Sequence, residues 1–192
     1  MIEKTNVLLD TEQKFICVSR PRRFGKSMAA NMLSAYYACG EDSSALFDGL
    51  TISHTVSYRQ HLNQYNVIKV NMQDFLSMTH SMDEMLTMLQ KYLSFDLLEQ
   101  FEHIRFRDEN NLIQIMKDIY AKTNRSFIIL VDEWDCLFRE YQHDTAAQKQ
   151  YLDFLRSWLK DKDYVALAYM TGILPIKNTA HTQRSICSPN IL

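Results

Sequence analysis

Phe15-Ile16-Cys17-Val18-Ser19-Arg20-Pro21-Arg22-Arg23-Phe24-Gly25-Lys26-Ser27 decides the fold. Its four leading apolar residues are cut off by a Ser-Arg-Pro turn, the pattern of a short strand buried on both faces. Beyond the turn, Met28, Met32, Leu33 and Tyr36 share one side of a helix, and Gly40 supplies a stop. The order is strand, loop, helix. A loop reading G-x-x-x-x-G-K-[ST] at such a junction wraps phosphate oxygens with successive backbone N–H groups. It sends its Lys to the terminal phosphates and offers its hydroxyl to Mg²⁺. Gly25-Lys26-Ser27 matches the second half of that pattern, while Arg20 stands at the first glycine position. Arg20, Arg22 and Arg23 add guanidiniums able to fork onto phosphate oxygens, and the N-terminus of the following helix favours anions. The candidate nucleotide-binding segment is therefore Arg20, Pro21, Arg22, Arg23, Phe24, Gly25, Lys26, Ser27 and Met28. A lone Gly-Lys-Ser arises by chance and clustered arginines are commonly a solvated face, so the context has to carry the reading.

That context comes about a hundred residues later. Phe127-Ile128-Ile129-Leu130-Val131 is the longest apolar strand pattern in the chain, suited to the middle of a parallel sheet, and it runs straight into Asp132-Glu133-Trp134-Asp135. An acid at the tip of a strand beside a phosphate loop can hold Mg²⁺ through its water shell, and the acid after it points differently and can take a proton from the attacking water. Asp132 fits the metal role together with Ser27, and Glu133 fits the catalytic role. The bland alternative is a polar turn or a helix N-cap. Asp135 reads as a cap or a brace of the site, and Trp134 as packing. Thr171, in the Thr171-Gly172 turn that closes a later strand, is a candidate polar sensor for the γ-phosphate or the lytic water.

The remaining pattern alternates in the same way. A strand over residues 67–72 leads to a capping box at Ser81-Met82-Asp83-Glu84 and a helix carrying Met85, Met88, Leu89 and Tyr92. Asp108 is the expected N-cap of a helix bearing Leu112, Ile115, Met116 and Ile119. A helix over about 145–160 then leads to a strand over 165–170. Strands alternating with helices predict an α/β fold: a doubly wound, three-layer, mainly parallel sheet with Val18, Val131 and Met170 along one rim, where open sheets bind ligands.

Composition sets the frame. A chain of 192 residues suffices for one α/β domain. With 21 Lys and Arg against 23 Asp and Glu, its net charge does not advertise nucleic-acid binding. Four cysteines without a C-x-x-C pair argue against a disulfide framework or zinc site and fit a reducing cytoplasmic compartment. The six histidines show no ligand spacing and read as surface or helix-face residues. No apolar run reaches the length of a membrane span, and the N-terminus lacks a signal-peptide profile.

Glu3-Lys4-Thr5, the segment from Arg20 to Ser27, Leu46-Phe47-Asp48-Gly49-Leu50, Val131-Asp132-Glu133-Trp134-Asp135 and Met170-Thr171-Gly172-Ile173-Leu174-Pro175-Ile176-Lys177 together resemble a known family. It is that of the bacterial and archaeal predicted AAA-ATPase-like proteins, related to signal-transducing P-loop NTPases of the additional-strand class. The resemblance reaches through Lys177, and Arg20 in place of glycine is the family's own variant. It implies ATP as ligand, Lys26 at phosphate, Ser27 and Asp132 at magnesium, and Glu133 at water. It also implies a C-terminal helical region and often a nuclease-like domain that can bring nucleic acid as a partner. Those parts are missing from the chain, and no nuclease constellation of the Asp…Glu-x-Lys type is read after the sensor strand, so nuclease activity is not carried over.

Residues 1–177 thus read as an AAA-ATPase-like P-loop domain whose C-terminal part is missing, and 178–192 as a disordered tail. From Asn178 onward, codons can be chosen whose shifted frame spells Tyr-Gly-Thr-His-Ser-Ala-Leu-Asn-Met-Phe, a family-like continuation, as a single-base deletion near codon 178 would leave. The leading expectation is an ATP-binding and ATP-hydrolysing module. Against it stand a nucleotide-binding switch with negligible turnover, an inactive truncated fragment and a small-molecule kinase. The protein partner or oligomer is left open.

Overall fold

The computed structural model describes residues 1–11, 14–21 and 23–174. The expectations for Arg22 and for the 178–192 tail lie outside those residues. In chain order the described elements are α1 (Ile2–Asp10), β1 (Phe15–Ser19), α2 (Lys26–Tyr37), α3 (Ser44–Phe47), a 3₁₀ turn (Thr51–His54), α4 (Ser57–His61), β2 (Asn66–Asn71), α5 (Met72–Ser77), α6 (Met82–Gln100), α7 (Leu112–Thr123), β3 (Phe127–Asp132), α8 (Cys136–Glu140), α9 (Thr145–Leu159) and β4 (Val165–Gly172). The four strands form one parallel sheet in the order β1-β4-β3-β2.

Alternation along the central strands divides the core into two. Phe127, Ile129 and Val131 of β3 face a cluster with α6, α7 and α9, while Ile128 and Leu130 face a second cluster with α1, α2 and α4. Successive strand side chains point to opposite faces, so a fully apolar strand must be covered on both. Every residue of β3 is buried. The fold is therefore α/β with helices on both faces of an all-parallel sheet, as the alternating pattern predicts.

Several boundaries differ from the sequence expectation. Met72 opens α5 rather than closing β2, because Asn71 caps that helix by accepting from the Gln73 amide. Asn111, not Asp108, caps α7 and accepts from the Gln114 amide. Thr171 and Gly172 lie within β4, not after it, held by pairing of Val18 with Thr171 and Ser19 with Gly172. The capping box at α6 forms, but Glu84 reaches one residue further back, accepting from the His80 amide at 2.9 Å. Of the surface or helix-face reading of the histidines, His61 takes the helix-face alternative and not the surface one: it lies in α4 and is buried, with Nδ1 2.7 Å from Tyr65 Oη and Nε2 3.1 Å from Asp10 Oδ1, tying α4 to α1.

The register brings Ser19, Gly172, Asp132 and Asn71, the last residues of the four strands, to one rim. Among the described residues no helix is long and apolar enough to cross a membrane.

Candidate functional site

The rim site starts at the loop between β1 and α2. Gly25 caps α2 with φ 74°, a left-handed conformation that glycine adopts without penalty, and Arg23 shares it at φ 68°. A Cβ added at Gly25 would meet nothing within 4 Å, so backbone conformation, not space, is the reason for glycine there. The loop is tied to β4 by the Arg20 amide donating to the Gly172 carbonyl at 3.1 Å. Lys26 is buried, and its ammonium closes the loop on itself by donating to the carbonyls of Arg20 at 3.1 Å and Pro21 at 3.2 Å. Phe24 and Met28, on either side of Gly25-Lys26-Ser27, are exposed.

Ser27 Oγ donates to Asp132 Oδ2 at 2.5 Å. The other carboxylate oxygen, Oδ1, accepts from the fully buried Thr171 hydroxyl and from the Glu133 amide at 3.0 Å. One carboxylate at the tip of β3 therefore gathers the loop's hydroxyl and the β4 threonine. Charge-assisted bonds of this kind are stronger than neutral ones, so Asp132 organises the rim. Glu133 follows in the left-handed region at φ 52°, uncommon for a residue with a Cβ. This turn aims its side chain away from Asp132's, toward α8, where Oε2 accepts from Arg139 Nη2 at 2.7 Å. The same Nη2 lies 3.4 Å from Gln73 Oε1 in the first turn of α5.

Asp135 braces the site and does not hydrogen-bond the start of α8. Its Oδ2 accepts from the amides of Ile173 at 2.8 Å and Leu174 at 2.6 Å, fixing the chain as it leaves β4. Gly172 makes this approach possible: a Cβ there would lie 2.7 Å from Asp135 Cγ and Oδ1 and 3.0 Å from Trp134 Nε1. Trp134 packs in the core, its carbonyl accepting from Tyr151 Oη at 2.8 Å. Burial pushes the neighbouring Cys136 thiol up to about 12, which disfavours its reactive thiolate form.

Beside the loop, a cleft of about 350 Å³ opens between α1 and β1, walled by Leu8, Ile16, Val18, Tyr169, Phe24 and Ala29, with Lys4 at its margin. Helix α1 is held there by a buried polar network. Thr5 Oγ1 and Tyr37 Oη are 2.7 Å apart, Tyr37 Oη donates to Asn6 Oδ1 at 2.7 Å, and Asn6 Nδ2 donates to Tyr36 Oη at 3.1 Å. The Lys4-Thr5 pair thus acquires a structural reason: Thr5 anchors α1 to α2, and Lys4 is left facing the cleft.

The structure brings Lys26, Ser27, Asp132, Glu133 and Thr171 to one rim, with Arg20, Pro21, Arg23, Phe24 and Gly25 in the adjoining loop. Sequence reasoning missed Arg139, Gln73 and the α1 cleft. Arg139 stands six residues beyond Glu133 and Gln73 comes from a different crossover, so no local spacing signal could have joined them. Comparison with curated proteins finds no match to the chain. A family model described as "Predicted AAA-ATPase" matches residues 1–182. With nearly the whole chain matched, and with the loop and acidic strand meeting at the sheet rim, this protein belongs to the predicted AAA-ATPase family.

Proposed function

We propose that the chain binds ATP with Mg²⁺ and hydrolyses it, in a P-loop NTPase fold of the additional-strand class. The observation that carries this reading is the 2.5 Å contact between Ser27 and Asp132, which converges the loop hydroxyl and the strand-tip carboxylate on one point. The position of β4 between the loop's strand β1 and the acidic strand β3 supports the additional-strand assignment.

Among the described residues no three His, Cys, Asp or Glu side chains cluster closely enough to hold a metal by themselves. Mg²⁺ in phosphate sites requires less: one or two protein oxygens, with waters and substrate phosphates completing six positions. Ser27 Oγ and Asp132 Oδ2 fit that donor set and would hold it. Held there, it would supply positive charge to offset that of the phosphates.

The chain's own groups divide the remaining work. The loop amides and Lys26 bind the phosphates, Lys26 exchanging the carbonyls of Arg20 and Pro21 for phosphate oxygens. Arg20 and Arg23 add positive charge at the mouth of the loop. The α1 cleft is of a size and apolar character to take the nucleoside. Glu133 accepts a proton from water as the water oxygen bonds to the γ-phosphorus and the bond to the β–γ bridging oxygen breaks. Thr171 holds Asp132 in place from β4. The family description supports nucleotide use in general terms. A cytoplasmic location accords with this use of ATP.

A second reading, a nucleotide-binding switch with negligible turnover, is favoured by one observation: the Glu133 carboxylate is engaged by Arg139. Calorimetry with ATP and Mg²⁺ on the parent chain and on Lys26→Ala tests binding, which both readings share. Equal affinity in two folded proteins overturns it. Phosphate release then separates the two readings.

A further inference from the structure

Glu133 and Arg139 form an ion pair at 2.7 Å in which the side chains are 24% and 19% exposed. Among the described residues it is the one ion pair with both partners under a quarter exposed. Salt screens such a pair far less than a surface pair.

Its geometry is incomplete for a purely structural tie. A guanidinium can grip a carboxylate with two parallel N–H bonds. Here one nitrogen, Nη2, serves both Glu133 Oε2 and Gln73 Oε1, the latter at 3.4 Å, while Arg139 Nη1 is buried with no hydrogen-bond partner among the described residues. A buried donor without a partner is costly and calls for a reason. Glu133 also sits at φ 52°, so its backbone is held in an uncommon conformation while its side chain is drawn toward α8.

We propose that Arg139 is a positioning residue that restrains Glu133. Its hydrogen bond to Oε2 holds the carboxylate toward α8 and lowers its readiness to take a proton from water, and full turnover requires the pair to open. This rests on the reading of Glu133 as the proton acceptor. Helix α8 and the first turn of α5, which carry Arg139 and Gln73, are then the elements through which the site can be switched: any movement that withdraws Arg139 frees Glu133, and the Gln73 amide oxygen, already 3.4 Å from Nη2, is an acceptor that can keep the guanidinium. The restraint explains in one arrangement why a complete loop and acid pair coexist with an engaged carboxylate.

The test is ATP turnover by the full 192-residue chain, with ATP affinity measured in parallel by calorimetry. Arg139→Gln, which removes the charge, should raise kcat about tenfold, equal to about 1.4 kcal/mol off the barrier, with ATP affinity unchanged. Arg139→Lys, which keeps a charge on a single donor, should give a smaller rise and serves if the glutamine variant fails to fold. The double variant Glu133→Gln/Arg139→Gln should be as slow as Glu133→Gln alone, since the gain acts only through Glu133. A fall or no change in kcat for variants that bind ATP normally overturns the restraint. So does a double variant faster than Glu133→Gln. If the parent chain and every variant fail to bind ATP at all, the nucleotide reading itself has failed and takes the restraint with it.

Discussion

Ser27 Oγ and Asp132 Oδ2 lie 2.5 Å apart although 105 residues separate them in sequence. The contact exists because β1 and β3 run parallel on either side of β4, so the first turn of α2 faces the tip of β3. It links the loop to the acidic strand directly and makes each residue's contribution measurable through the other.

Asp132→Asn should remove most of the Mg²⁺ enhancement of ATP binding. The substituted amide keeps one acceptor oxygen, but its nitrogen cannot accept from Ser27 or bind a cation. We expect at least about a tenfold loss of affinity in Mg²⁺, about 1.4 kcal/mol, and little change in EDTA. Calorimetry in the two buffers reads the difference, and a variant retaining the full enhancement would move the ion elsewhere.

Glu133→Gln should slow single-turnover hydrolysis by about 10²–10⁴-fold, the usual contribution of a positioned general base, while ATP still binds. The amide keeps the shape and can still accept from Arg139, but cannot take a proton from water. Hydrolysis at the parental rate would exclude Glu133 as the base, whereas loss of binding would make it structural.

Gly172→Ala should destabilise the fold by about 1–3 kcal/mol, as overpacking does. The new methyl meets the Asp135 carboxylate, which cannot swing aside without releasing the Ile173 and Leu174 amides. Gly49→Ala is the control, because a Cβ there meets nothing within 4 Å. Urea denaturation of both variants checks the contrast, and equal midpoints would mean that β4 yields freely at Gly172.

Cys136 should resist alkylation in the folded protein. With its thiol pushed up to about 12 by burial, about one molecule in ten thousand is thiolate at pH 8, and the sulfur is also shielded from reagent. Peptide mapping after iodoacetamide treatment should find Cys136 modified only when denaturant is present. Labelling under native conditions would show that the β3–α8 turn opens readily.

The amino-acid sequence by itself determined the alternation of strands and helices, the loop ending in Gly25-Lys26-Ser27 and the strand ending in Asp132-Glu133. Each of these is written in local periodicity and in turn chemistry, which act over a few residues. Even the family membership rests on such contiguous stretches. Local signals were weaker at element ends: Asn111 displaced Asp108 as a cap, and Thr171 and Gly172 joined β4, because caps and strand ends are settled by the hydrogen bonds available from neighbours. Only the tertiary structure decided the sheet order β1-β4-β3-β2 and, through it, which distant side chains meet. Thr171 met Asp132 across the β4–β3 step, Arg139 reached Glu133 beside Gln73, and α1 was fastened over β1 by Thr5 and Asn6 to form the cleft. Those contacts depend on strand register and helix packing, which bring together residues that no spacing along the chain connects.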